Sequence, residues 1–202
     1  YIRVYCPAMG TDIESVLLAT DFDELVAADI CEFSFEDFKD GMQEELSRIP
    51  QAKNIQFFKP WKFRGPGPIY QVSFDYGGRE RKVIYYTQYN TLHSIPNALG
   101  TSFQVIYNHD WILRDMEPGV RKRLINRLSY GQGVIINFGE GSFLERPQEF
   151  FMIPHLNTIN DSSVSSNGKI SIFVRRPKQA EPSPHRDATQ HSPVTFDPTQ
   201  KT

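Results

Sequence analysis

Thiol is scarce in this chain: Cys6 and Cys31 are its only cysteines. They make neither a disulfide framework nor a pair of CxxC metal motifs, and each ends an apolar segment where a reduced, buried thiol is ordinary. An excess of one charge is also missing. The 22 Lys and Arg stand against 24 Asp and Glu, a formal charge of -2, which leaves no global field to steer the chain toward nucleic acid or an anionic membrane. The local basic runs, Arg121 to Arg127 and Arg175-Arg176, are read as solvated or protein-facing. No apolar run approaches the roughly 18 to 20 residues that span a bilayer, so no membrane partner is expected and the cytoplasm is the expected compartment. His93, His109 and His155 lack short-range metal spacing, and His185 and His191 fall in a proline-rich stretch, so no metal site is specified. Glycine is sparse where a dinucleotide fingerprint needs it. In the turn after the first apolar segment there is Gly10, flanked by Ala8 and Asp12.

What is present is a core and a rhythm. With 202 residues, 39% of them hydrophobic, the chain can bury one sizeable core. Ile2 to Tyr5 reads as a strand, followed by a small-residue turn. Thr11 with Glu14 three residues later is a capping-box arrangement for a helix through Ala19, with Ile13, Val16 and Leu17 on its buried face. Leu25 to Ile30 is almost wholly apolar, as a strand covered on both faces would be. Ser34 and Asp37 open a second helix, on which Phe35, Phe38, Met42, Leu46 and Ile49 recur at helical spacing until Pro50. Asn54 to Phe58 is a short strand candidate, and 60–68 is a Gly/Pro-punctuated connection. Gly77-Gly78 between Ile69–Tyr76 and Arg79–Thr87 predicts a two-residue hairpin, with Arg79 to Lys82 at its solvated end. Aromatic residues are plentiful, and Tyr85, Tyr86 and Tyr89 line a cleft or pack a sheet.

Further strands are predicted at 102–107 and 134–138, with a helix opened by Pro118 between them. Glu149 to Ile153 and Lys169 to Val174 lie too close together, and too poor in helix, for a parallel crossover, so this pair is expected to be antiparallel. The fold predicted is α/β: a Rossmann-like open sheet, mostly parallel, with a C-terminal antiparallel strand pair, over residues 1–176. Residues 177–202 form a Pro-rich polar tail in which Val194 and Phe196 are the only large apolar residues.

In such a sheet ligands bind outside the carboxyl ends of the strands. That rule selects 7–12, 29–32, 109–111 and 139–142. Asp29, ending an apolar strand, suits the hydroxyls of a ribose or caps a turn. Gly10 lets a backbone approach closely, while Asp12 sets a like charge beside any diphosphate. Asn108, His109 and Asp110 offer a base or a polar clamp, but neighbours along a strand point opposite ways, so not all three can face one ligand. Cys6 is read as a buried structural thiol rather than a nucleophile.

The stretch Val4 to Asp12, the apolar strand ending at Asp29, the Tyr107-Asn108-His109-Asp110 segment and the final antiparallel pair together resemble the class I, S-adenosylmethionine-dependent methyltransferases, in a divergent form. The resemblance covers Ile2 to Arg176. It implies S-adenosylmethionine as cofactor, held by Cys6, Ala8, Gly10, Asp12 and Asp29, and a substrate oriented or activated by Asn108, His109 and Asp110. The chain departs from the family pattern in having Cys6 for an acid, Ala8 for a glycine and Asp12 for a small residue, and a thiol does not receive an ammonium as a carboxylate does. Two classes of function stand: a methyltransferase acting on a small-molecule or protein substrate, or a non-catalytic domain that binds a protein partner.

Overall fold

The computed structural model describes residues 1–7, 13–61, 67–100, 102–139, 143–157 and 169–179. In chain order the elements are strand Arg3–Cys6 (β1), helix Ile13–Thr20 (α1), strand Glu24–Ala28 (β2), helix Phe35–Ser47 (α2) and strands Lys53–Trp61 (β3), Ile69–Tyr76 (β4) and Arg79–Tyr86 (β5). Strand Val105–His109 (β6), helices Asp110–Asp115 (α3) and Pro118–Asn126 (α4), and strands Val134–Phe138 (β7), Phe150–Asn157 (β8) and Lys169–Arg175 (β9) complete them. The strands form one nine-stranded sheet in the order β3-β4-β5-β2-β1-β6-β7-β9-β8.

The class is α/β, but the expected mostly parallel, Rossmann-like open sheet is not what forms. The ladders β1–β2, β2–β5, β1–β6 and β6–β7 are parallel, whereas β3–β4, β4–β5, β7–β9 and β8–β9 are antiparallel. The sheet is mixed, with a parallel centre and antiparallel flanks. The reason on one flank is local. Gly77 and Gly78 take φ of 60° and 75°, and a two-residue connection of this kind can join only antiparallel strands. On the same flank, β3 runs to Trp61, well past the short strand expected, and it covers β4, which is therefore not an edge.

Period-two alternation sends each central strand's side chains into two separate cores. Val4, Cys6, Leu25, Ala27, Val83 and Tyr85 pack beneath α1 and α2. Tyr5, Val26, Ile106, Ile135 and Phe173 pack beneath α3 and α4. This double burial explains why the sequence of β2 has no polar face. α2 starts on the expected capping box: Ser34 accepts from the Asp37 N–H, and Asp37 reaches back to Ser34. Pro118 stands at the start of α4, which buries Val120 and Leu124. Thr11, the cap expected for α1, lies outside the described residues; the Ile13 N–H is held by the Glu45 carboxylate of α2 at 3.0 Å.

At the start of β5, Arg79 and Glu80 are exposed as the charge suggests, but Arg81 is not. Arg81 is 1% exposed. Its guanidinium donates to the carbonyls of Asp21 and Phe22 at 2.9 and 2.6 Å and to the Asp21 carboxylate at 2.7 Å. Arg79 adds bonds to Asp21 and Asp23, and Asp23 in turn accepts the Ile2 N–H at 2.6 Å. The amino ends of β1, β2 and β5 are thus clasped together by charge-assisted bonds.

Candidate functional site

Strand order changes direction between β1 and β6. From β1 the sheet grows through β2 to β5 on one side and restarts with β6 and β7 on the other. The carboxyl ends beside that switch point are where an open α/β sheet receives ligands. Of the positions expected there, 8–12, with Ala8, Gly10 and Asp12, and 140–142 lie outside the described residues.

Cys6 ends β1 beside Ala27 and is 1% exposed, in the core beneath α1 and α2. Asp29 follows β2 directly. Its backbone N–H donates to the Tyr86 carbonyl at 2.9 Å, and its own carbonyl accepts from Tyr89 at 2.8 Å. Its carboxylate accepts the Cys31 N–H at 2.9 Å, an Asx turn, and the Tyr85 hydroxyl at 3.4 Å. The turn-capping role weighed for Asp29 is therefore present, and it fixes the carboxylate just past the end of β2. Burial, reinforced by that carboxylate, holds the Tyr85 phenol well above its ordinary range, so Tyr85 acts here as a donor. Cys31 is exposed rather than buried as its apolar neighbours suggested, because β2 ends before it. A hydrogen bond to Asp29 and the Asp29 charge raise the Cys31 thiol, which disfavours the nucleophilic thiolate.

The expected catalytic group divides. Asn108 and His109 are consecutive in β6 and point to opposite faces. Asn108 is fully buried, and its amide donates to Asn137 Oδ1 at 2.8 Å. The Asn108 carboxamide oxygen has no partner among the described residues. Asn137 sits across the ladder from Ser171, whose hydroxyl donates to the Gly139 carbonyl at 2.8 Å. A buried polar row thus crosses β6, β7 and β9 and pins the first residue of the turn after β7. His109 lies on the other face, half-buried, with its ring stacked on Phe138 at 5.3 Å between centroids. Asp110 opens α3 directly after the strand. The carboxyl ends of the strands accordingly carry Cys6, Asp29, Tyr85 and His109 on the α1/α2 side, with Cys6 inside the core, while Asn108 belongs to the opposite core.

Burial lowers the His109 pKa below its ordinary 6.5, so the folded protein keeps this ring neutral to lower pH than the unfolded chain does. The unfolded state then binds the proton first as pH falls. The contribution is full above the unfolded value and is lost as pH drops through the window between the unfolded and folded values. His109→Phe should flatten this dependence. Urea midpoints at about pH 7.5 and about pH 5.5 should lie closer together in the variant than in the wild type; an unchanged gap would remove His109 from the account.

Two further residues at this site carry no local sequence signal. Glu45 reaches the first N–H of α1 from the far half of α2, and Ser171 meets Gly139 from the last strand. In the basic runs, Lys122, Arg123 and Arg176 are exposed, as the solvated reading expects, while Arg121 and Arg175 are committed internally. Arg121 holds the carbonyls of Leu113 and Arg114 and the Glu145 carboxylate, and Arg175 is 1% exposed. No helix among the described residues is long and apolar enough to cross a membrane. No protein-family model matches the chain, and no curated protein matches it significantly.

Proposed function

We propose that this chain is a divergent S-adenosylmethionine-binding, methyltransferase-like domain, with the cofactor at the carboxyl ends of β1 and β2 and the methyl acceptor near β6. The observation that carries the reading is the strand plan. A parallel centre with a switch point at β1/β6 ends in the antiparallel β8–β9 pair, the part of the resemblance most specific to methyltransferases. Asp29 adds to it, since its carboxylate stands fixed at the end of β2 with lone pairs left for ribose hydroxyls. Methyl transfer at such a site depends mainly on holding donor and acceptor in line. Neutral His109, on the same side as Asp29, is the side chain placed to accept a proton from the acceptor.

Calorimetric titration of the full chain with S-adenosylmethionine tests this reading. Saturable binding is expected, and Asp29→Ala should abolish it. Asp29→Asn separates turn from ligand, because the amide oxygen can still accept the Cys31 N–H while one acceptor oxygen and the charge are gone. It should keep native near-ultraviolet circular dichroism and still lose the cofactor. A wild-type chain that gives no binding heat sinks the cofactor assignment and selects the second reading, a cofactor-free protein-binding domain. One observation favours that second reading: buried Cys6 replaces the acid that would meet the methionine ammonium.

A further inference from the structure

The outer edge of the sheet beside β8 carries three consecutive exposed apolar residues. β8 pairs with β9 on one side, and no strand among the described residues pairs with it on the other. Phe151, Met152 and Ile153 are consecutive and 50%, 55% and 46% exposed. Such an edge offers unpaired backbone groups to any passing strand, and native sheets cover or blunt it. Pro154, next in the strand, supplies no N–H and is tolerated only at an edge or bulge.

The described chain leaves the fold at this place. After β9 the Arg176 guanidinium lies over the Phe151 ring at 3.7 Å and donates to the Phe150 carbonyl, while Pro177 packs against Gly131. Residues 176–179 then line a groove together with Tyr130, Gln148 and Phe151. Beyond Gln179, Val194 and Phe196 are the large apolar residues, spaced two apart between Pro193 and Pro198 and followed by Asp197. That spacing puts both on one face of an extended segment, and the flanking prolines oppose a helix. Segment 180–193 spans at most on the order of 45–50 Å, more than the length of eight-residue β8, roughly 27 Å.

We infer that residues 193–197 of the same chain dock along the outer edge of β8, with Val194 and Phe196 beside Phe151 and Ile153 on one face and Asp197 near Arg176 and Lys178. This is strand addition in cis, in which main-chain bonds hold the segment and two side chains choose its register. Closing a loop of this length adds a modest entropic cost that two buried apolar side chains offset.

The test is peptide-level hydrogen exchange over 150–153 in the full-length chain and in the full-length Val194→Ser/Phe196→Ser variant, with a dilution series of each. Exchange at β8 is expected to rise about tenfold in the variant, with other strands unchanged. In the wild type it should be independent of concentration. Equal exchange in the two proteins overturns the docking. Wild-type exchange that quickens on dilution overturns the cis assignment and gives the edge to a second copy.

Discussion

Replacing Arg81 with Met is expected to lower the unfolding free energy by about 3 kcal/mol, read as a shift of the urea midpoint at unchanged slope. The guanidinium is buried and donates to two backbone carbonyls and a carboxylate in the 21–22 turn, where Asp21 has a φ of 48°. Met fills the volume of the stem but returns none of those bonds, so the Phe22 carbonyl loses its donor inside the fold. Arg81→Lys should recover less than half of the loss, because a single ammonium cannot reproduce the planar fork. A Met variant within about 0.5 kcal/mol of wild type would mean that the clasp contributes nothing beyond packing.

Phe38→Ala should be the more damaging change, at roughly 3–5 kcal/mol. Phe38 is 5% exposed and meets Phe35, Phe57, Tyr70 and Tyr85, with ring centroids 5.2 to 6.5 Å away. It joins α2 to β3, β4 and β5 through a single side chain, so its removal leaves a void that helix and sheet cannot both close. Tyr85 also donates to Asp29, and the effect should therefore reach the candidate site. Phe38→Leu, which keeps part of the volume, is expected to recover most of the stability. Equilibrium unfolding measures both, and a loss below about 1 kcal/mol for the alanine variant would show that the aromatic cluster repacks.

The parts of the fold written in local pattern were legible. The helix at 35–47 announced itself through its Ser34/Asp37 cap and its apolar spacing, the hairpin through Gly77-Gly78, and the final antiparallel pair through the short, helix-poor segment between its strands. Strand direction across the sheet was not legible in the same way. Whether β4 and β5 flank a parallel centre or join it depends on long-range pairing, and a Val- and Tyr-rich strand looks alike in either setting. Burial of charge was hidden for a similar reason. Arg79 to Lys82 has the composition of a wet surface, and only the approach of the 21–23 turn converts Arg81 into a core residue. At the site, position was readable for Asp29 and His109 from strand ends. Tyr85 was singled out as an aromatic of a cleft or a sheet, whereas Glu45, Asn137 and Ser171 come from distant segments, so no spacing rule could have found them.

The Glu45 carboxylate at the start of α1 would sort any ligand arriving there by the sign of its charge. Helix amino ends attract anions, and here the protein has placed one of its own on that terminus. A phosphate arriving at the same N–H would stand close to a resident negative charge; at 4 Å and an effective dielectric near 20, that repulsion is about 4 kcal/mol, roughly a thousandfold in affinity. A ligand bearing a sulfonium or an ammonium meets attraction of the same order. Diphosphate-linked dinucleotides are thereby disfavoured at this end of the sheet by α2, a helix whose sequence carries no nucleotide motif.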